Sequence, residues 1–348
     1  MGEGIPSTTE GLWPAPGDPV VVGSGSETFM PRNALPGSVA TTKGADGHVD
    51  AVIDHAAPAD ARAILDLVVG AGWAYGLADI DRLIRLDQEG MLVALAKGGG
   101  SGGGGRSVIG CVYASKWGHL GFIGLLLVRP DLRGRGLGER LVRRGVSDLQ
   151  ARGVVSVGLD AVPEAVSLYE RLGFTPTWES LRLAVDTTGD DRPATASRAR
   201  EAARADMDDV LGLDRRGWGA DRGRLLASLG GMGGMDGDGR IIVAPDEGPV
   251  RAYAAMRRGP RNWRLGPWVA EPTDEGSDAA RAVLAWAMDA AAGEPIGLGV
   301  PDYSRTAVET LNRLYAIRYR SCTRMYLGDP GPALGAVGSW AIGAPEKG

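Results

Sequence analysis

The chain has 348 residues, 44% of them hydrophobic, and 43 Asp and Glu against 38 Lys and Arg give a net charge of -5. That length suits two domains with sizeable cores; the mixed charges form no basic stripe and exclude nucleic acid as the expected partner, and no apolar run reaches the ~18 residues of a membrane span. Cys111 and Cys322, far apart in strand-like patterns, read as small buried hydrophobes, and His48, His55 and His119 are too dispersed for a metal site, so a cytoplasmic protein without metal is expected.

Residues 1–48 are rich in Gly, Pro, Ser and Thr and carry no period, so a disordered segment is expected there. Only Arg32 and Lys43 are basic in it, against Glu3, Glu10, Asp18, Glu27 and Asp46, which argues against a transit peptide; the lack of an apolar core argues against a signal peptide. Further on, two strand-like runs, MLVALA and SVIGCVYA, flank Gly98 to Gly105, which reads as a hairpin loop within a domain. The apolar run from Gly124 to Val128 predicts a buried strand closed by Pro130. Leu137, Leu141, Val142, Val146 and Leu149 then recur at helical spacing. The glycines between them, in RGRGLG at Arg133 to Gly138, therefore sit on a strand-to-helix turn, where unpaired amides form an anion site and Arg133 and Arg135 add positive charge.

After Val185 the polar stretch DTTGDDRPATAS reads as a linker. The residues beyond it resemble those before it: shifted by 142 positions, Pro130 falls on Pro272, Ala165 on Ala307 and Leu172 on Leu314. The same shift sets Arg133 on Glu275, Gly136 on Asp278, Gly138 on Ala280 and Tyr169 on Leu311, so the second copy is expected to lack the anion site. The expected organisation is a disordered segment at 1–48, a catalytic domain at 49–186, a linker at 187–197 and a degenerate copy at 198–348.

The glycine spacing fits neither nucleotide fold. GxxxxGK with a following Ser or Thr is absent, and the third glycine of a dinucleotide loop falls on Glu139 or Leu141. RxxGxG at Arg133 to Gly138, the apolar strand before it and LYERLGF at Leu168 to Phe174 instead resemble the GNAT superfamily of acyl-CoA-dependent N-acetyltransferases. HAAPADARAILDLVVGAGW at His55 to Trp73 resembles the first helix and turn of such domains, and HLGFIGLLLV their central strand. GPWVAEP at Gly266 to Pro272 and RMYLG at Arg324 to Gly328 resemble the C-terminal GNAT-like domain of a tandem, bacterial-type subfamily. The resemblance implies an α/β fold of two tandem GNAT-like domains, each a mixed, mostly antiparallel sheet flanked by helices, with acetyl-CoA as co-substrate. By the same resemblance the backbone of Leu126, Leu127 and Val128 holds the pantetheine arm; Arg133, Gly134, Arg135, Gly136, Leu137 and Gly138 hold the pyrophosphate; and Tyr169 lies near the thioester sulfur.

Amine acylation needs a proton removed from an ammonium of pKa near 10.4 and a donor for the departing thiolate. Tyr169 is the expected acid. Where many family members carry a base on the central strand, this chain has Phe122, so Asp160 is the candidate base, ahead of Glu164 and His119. Trp73, Tyr75 and Trp117 in the first half, Trp263 and Trp268 in the second, and Asp302 and Tyr303 are candidates for the acceptor pocket. The expected function is acetyl transfer to the primary amine of a small molecule, by direct attack in a ternary complex. The alternatives are a non-catalytic acyl-CoA-binding or sensing protein, a longer acyl donor, or a protein amine as acceptor.

Overall fold

The computed structural model describes residues 49–96, 107–230, 239–331 and 338–343. The segment expected to be disordered at the N-terminus lies outside these residues, as does the whole of the glycine-rich hairpin loop from Gly98 to Gly105. The first half runs β1 (Ala51–His55), α1 (Ala61–Gly70), α2 (Leu77–Leu86), β2 (Met91–Ala96), β3 (Val108–Trp117), β4 (Leu120–Val128), α3 (Leu137–Ala151), β5 (Ser156–Ala161), α4 (Val166–Arg171) and β6 (Thr175–Val185). The second runs β7 (Arg200–Glu201), α5 (Met207–Trp218), α6 (Gly223–Leu229), β8 (Gly239–Ala244), β9 (Ala252–Arg258), β10 (Trp263–Ala270), α7 (Asp274–Ala291), β11 (Ile296–Pro301), α8 (Arg305–Arg313), β12 (Ile317–Leu327) and β13 (Ser339–Ala341). The element order is the same in both halves apart from β13, so the chain is a duplicated α/β fold.

The local reasons are those the sequence offered. The strand-like apolar runs of β2 and β3 pair as a hairpin in which Met91 faces Tyr113 and Ala94 faces Gly110. In α3 the stripe Leu137, Leu141, Val142 and Leu149 is buried. Gly145 lets this helix lie close on the sheet, since a Cβ there would stand 3.0 Å from Ile123 Cδ1.

The two halves exchange their last long strands. Sheet order is β1-β2-β3-β4-β5-β12-β6-β11-β10-β9-β8-β7, with β13 on β10. β12 of the second half thus pairs with β5 of the first, β6 of the first pairs with β11 of the second, and β6 and β12 pair with each other, all antiparallel. Met325 of β12 belongs to the apolar cluster beneath α3, and Leu183 of β6 to the one beneath α7. Burying Met325 fully contributes roughly 1.5–3 kcal/mol, so each half is stabilised by the other's strand. The predicted linker runs back along α7, where Thr187 Oγ1 donates to the Glu294 carbonyl at 2.8 Å and Thr195 Oγ1 to that of Asp278 at 3.0 Å. Because side chains alternate along each strand, α3 and α7 cover one face of the central sheet, and Asp160, Trp178, Arg182 and Arg324 point to the other.

The repeat spacing of 142 holds from β4 to β10, from β6 to β12 and around Tyr169. The Tyr169 carbonyl accepts from Leu172 and Phe174 N–H, and the Leu311 carbonyl accepts from Leu314 and Ala316 N–H. It fails at the helix starts. Residues 129–136 connect β4 to α3, whereas only residues 271–273 connect β10 to α7. The second half has no glycine loop to compare: Asp274, not Asp278, begins its helix, and Ala280 is buried in the core of α7.

Candidate functional site

A wedge opens in the first half. β4 pairs with β5 only from Leu120 to Ile123, opposite Ser156 to Leu159. At Leu125 the backbone takes a positive φ of 50°, and the register against β3 slips between Cys111 and Tyr113. Such a bulge bends the strand and re-aims its edge. From Gly124 to Val128 the side of β4 that faces β5 has no ladder partner among the described residues. Leu125 and Leu127 anchor it in the core beneath α1 and α2, while Leu126 and Val128 are half-buried on the other face. The edge expected at Leu126, Leu127 and Val128 is therefore open to a hydrogen-bonding ligand.

The chain then turns into α3. A short 3-10 turn at Pro130–Leu132 buries Leu132, and Arg133 Nε donates to the Val128 carbonyl at 3.0 Å. Gly134 and Gly136 both sit in the left-handed region, at φ 71° and 75°. That conformation is why glycines stand there. Gly136 is the N-cap and offers no side chain to the first-turn amides, while buried Leu137 pins the helix start to the core. Arg135 and Gly138 are half-buried beside it. The result is an uncapped, positively polarised helix terminus at the mouth of the wedge.

Tyr169 lies on the α3 side of the sheet, 7% exposed, in the cluster that also holds Leu132, Leu137 and Ala161. Its ring meets the edge of Phe174 at 5.8 Å. Burial pushes its phenol above the ordinary value. The fold thus gathers the wedge, the helix start and Tyr169 into one region.

Asp160 is placed differently from the role of base. Its side chain is fully buried, accepting from Arg324 Nε and Arg182 Nη2. Burial alone would raise its pKa; the charges of Arg324 and then Arg182 outweigh that and hold the carboxyl below its usual range. A carboxylate so paired has little tendency to take a proton. The geometry gives it a structural part, joining strands from both halves. Glu164 is exposed before α4, and His119 is exposed in the turn at the far end of β4, where its carbonyl accepts from Val155 N–H at 2.9 Å. Phe122 is fully buried, with Trp218 at 5.6 Å and Tyr326 at 6.1 Å between ring centroids and the Arg324 guanidinium 4.8 Å from its own.

Of the aromatic candidates, Trp117 and Trp268 are core residues and Trp263 packs under Arg258. Trp73 and Tyr75 lie in the α1–α2 connection, which the second half reaches: Arg264 sits over Tyr75 at 5.3 Å and donates to the Ala74 carbonyl. Tyr303 stands edge-on to Trp178 at 5.2 Å, and burial pushes its phenol up to about 12. Asp302 lines an open cleft of about 580 Å³ with Glu179, Leu181 and Ser321, on the α3 and α7 face and so opposite Asp160. Sequence reasoning missed Arg182, Arg324 and Trp178, which face Asp160 through strand exchange.

The corresponding wedge in the second half is filled. β10 pairs with β11 only at Trp263 and Arg264. Beyond them β13 occupies the opening, pairing with Trp268 and Val269 of β10, while Ile342 N–H donates to the Gly299 carbonyl of β11 at 2.9 Å. Trp340 packs on Trp268 with ring centroids 4.8 Å apart. The helix start is capped too: Thr273 Oγ1 accepts from Gly276 N–H at 3.0 Å, and exposed Asp274 and Glu275 come next.

Comparison with known proteins agrees with the duplication. Residues 62–174 match the acetyltransferase (GNAT) family and residues 210–334 match an acetyltransferase (GNAT) domain. The chain is 28% identical over 202 residues to holothin acyltransferase of Pseudoalteromonas sp. (strain SANK 73390), covering 57% of this chain and 62% of that one, which is less than two thirds of that relative's length. It is 24% identical over 213 residues to the uncharacterized N-acetyltransferase YitH of Bacillus subtilis (strain 168), covering 61% and 70%. Among solved structures, a putative acetyltransferase from Pyrococcus horikoshii shares the fold with a TM-score of 0.70 at 19% identity, over 92% of this chain and all of that one. A tandem GNAT protein from the clavulanic acid biosynthesis pathway aligns with a TM-score of 0.56 at 12% identity, over 80% and 98%.

Proposed function

Because the chain belongs to the GNAT acetyltransferase family in both its halves, we propose that its first half transfers the acetyl group of acetyl-CoA to the primary amine of a small molecule. The observation that carries this reading is the open wedge at Gly124 to Val128 beside the uncapped start of α3, set against the filled wedge and capped helix of the second half. The helix start suits a pyrophosphate, and the strand edge suits the amide-bearing pantetheine arm. Both substrates are bound together, and the neutral amine attacks the thioester carbonyl. The C–N bond forms, the C–S bond breaks, and the amine proton leaves to solvent. An alkylammonium must first lose a proton, at a cost of roughly 4–5 kcal/mol at pH 7.

Tyr169 serves the departing sulfur. Its raised pKa keeps the phenol protonated through the neutral range, so it can donate a hydrogen bond to the developing thiolate. The same reading puts the protein in the cytoplasm. The commitment of Asp160 to two guanidiniums favours one second reading, acyl-CoA binding without turnover.

One assay separates them: thiol release from acetyl-CoA against amino acids, polyamines, aminoglycosides and short lysine peptides. Tyr169→Phe is expected to lower kcat by roughly 10²–10⁴ with acetyl-CoA affinity unchanged. In the wild type no descending limb of the pH–kcat profile should come from Tyr169 below about pH 10, because its acid form persists above the ordinary tyrosine value. Tight acetyl-CoA binding with no turnover on any acceptor would select the binding-only reading.

A further inference from the structure

We infer that the acceptor carries an anionic group, a carboxylate or a phosphate, close to its amine, and that Arg324, delivered to the first half by the exchanged strand β12, is the residue that recognises it. This rests on the reading of the first half as an N-acyltransferase and adds the class of its acceptor.

The argument starts from register. Asp160 is the first residue of β5 beyond its last pair with β4, so it marks the apex of the wedge. Opposite it on β12 stands Arg324, and opposite Arg324 on β6 stands Trp178. The next cross-strand row on this face is Cys322, Ser180 and Pro301, and the one after is Arg320, Arg182 and Gly299. Arg264 lies beside Gly297 at the far side. Arg324, Arg182, Arg320 and Arg264 thus stand with a single carboxylate, Asp160, both of whose oxygens are already taken.

Burial grades across the group. Arg324 is 1% exposed and Arg182 8%, whereas Arg264 and Arg320 are half-buried towards the outside, with Arg264 held under the α1–α2 connection at Ala74. Arg182 can lie across Gly299 only because that residue has no side chain, since a Cβ there would come within 2.2 Å of Arg182 Nη1. Arg320 makes no ion pair among the described residues.

The floor is also unsatisfied. Arg324 Nη2, Trp178 Nε1 and Ser180 Oγ are buried polar atoms without a hydrogen-bond partner among the described residues, and they belong to two neighbouring rows. Buried donors left open are rare, because each forfeits its hydration. A purely structural ion cluster would use Arg324 Nη2 and match its charges; this one leaves the donor open and an excess of positive charge. A planar guanidinium with a free N–H matches a carboxylate or phosphate oxygen, with the indole N–H and the hydroxyl as further donors. An acceptor anchored there would hold its amine near the wedge apex.

The experiment compares thiol release for matched acceptors: α-amino acids against their carboxamides, and O-phosphoethanolamine against ethanolamine. The charged member of one pair is expected to be preferred by about 10²-fold or more in kcat/KM, and which pair shows it separates carboxylate from phosphate. Trp178→Phe keeps an aromatic ring and removes the N–H, and Ser180→Ala removes the hydroxyl; each should narrow the preference by about 2- to 10-fold. Arg324→Lys should abolish it, with calorimetric acetyl-CoA binding confirming an intact fold. Equal kcat/KM within both pairs, or ratios that the Trp178 and Ser180 variants leave unmoved, would overturn the inference while leaving acyl transfer standing. If no amine turns over, binding of the same compounds to the acetyl-CoA-loaded protein decides: tighter binding of the charged members supports the anionic site, and equal or absent binding overturns it.

Discussion

The two wedges of this molecule are built on one backbone plan and end in opposite states. Between β4 and β5 the strand edge is unpaired and the following helix begins at a glycine with no capping side chain. Between β10 and β11 the chain's own Ser339–Ala341 strand fills the gap, and Thr273 caps the helix. Splayed parallel strands therefore do not by themselves leave an open site. What distinguishes one is the left-over hydrogen-bonding capacity, which the first half keeps and the second half spends internally.

The sharpest way to break this contrast is at the helix starts. Gly136→Glu forces a side chain into a left-handed backbone and sets a carboxylate against the site's anion. Loss of calorimetric acetyl-CoA binding is expected, with affinity reduced by at least ~10²-fold. Glu275→Arg, at the exposed start of α7, makes that terminus electrically suitable and should still yield no second binding event. A second equivalent of acetyl-CoA in this variant would show that charge, not the β13 plug, closes the second wedge.

A comparable effect on stability is expected where the halves are joined. Asp160→Asn leaves Arg182 and Arg324 buried beside a neutral group, which costs about 3–5 kcal/mol. The sign of the pH dependence comes from the depressed folded pKa: the stabilisation is present above the unfolded value of about 3.9 and is lost as pH falls through the folded one. Urea unfolding at pH 7 and at a series of pH values below 4 should show a large difference between wild type and variant at pH 7 that narrows steadily as the pH is lowered. Unchanged stability with a selective loss of kcat would restore Asp160 as a base.

How much of this was legible depended on range. The helix stripe from Leu137 to Leu149, the hairpin of β2 and β3, the strand before Pro130 and the glycine turn are local patterns, and each was read from its own residues. The repeat was visible at Tyr169 and Leu311 because those helix ends are the same length. It misled at Glu275 and Asp278 because a loop of five fewer residues cannot be seen in a fixed shift. Asp160 looked like a base because its partners are strands 22 and 164 residues away, and only the exchange of β6 and β12 brings Arg182 and Arg324 to it. The aromatic residues Trp117 and Trp268 carried no signal that told core from pocket.

The smallest effect tests which of two devices shuts the second wedge. Thr273→Ala removes the acceptor for Gly276 N–H and should cost about 0.5–2 kcal/mol, measured as a modest shift in the unfolding midpoint. It also leaves the start of α7 as bare as that of α3. If capping were what keeps coenzyme out, the variant would gain weak acetyl-CoA binding there. The geometry argues otherwise, since the hydrogen bonds a pantetheine arm would need on β10 are made by β13, and Trp340 fills the space over Trp268. Binding should therefore stay at one equivalent per chain in Thr273→Ala, which assigns the closure of the second wedge to its own C-terminal strand.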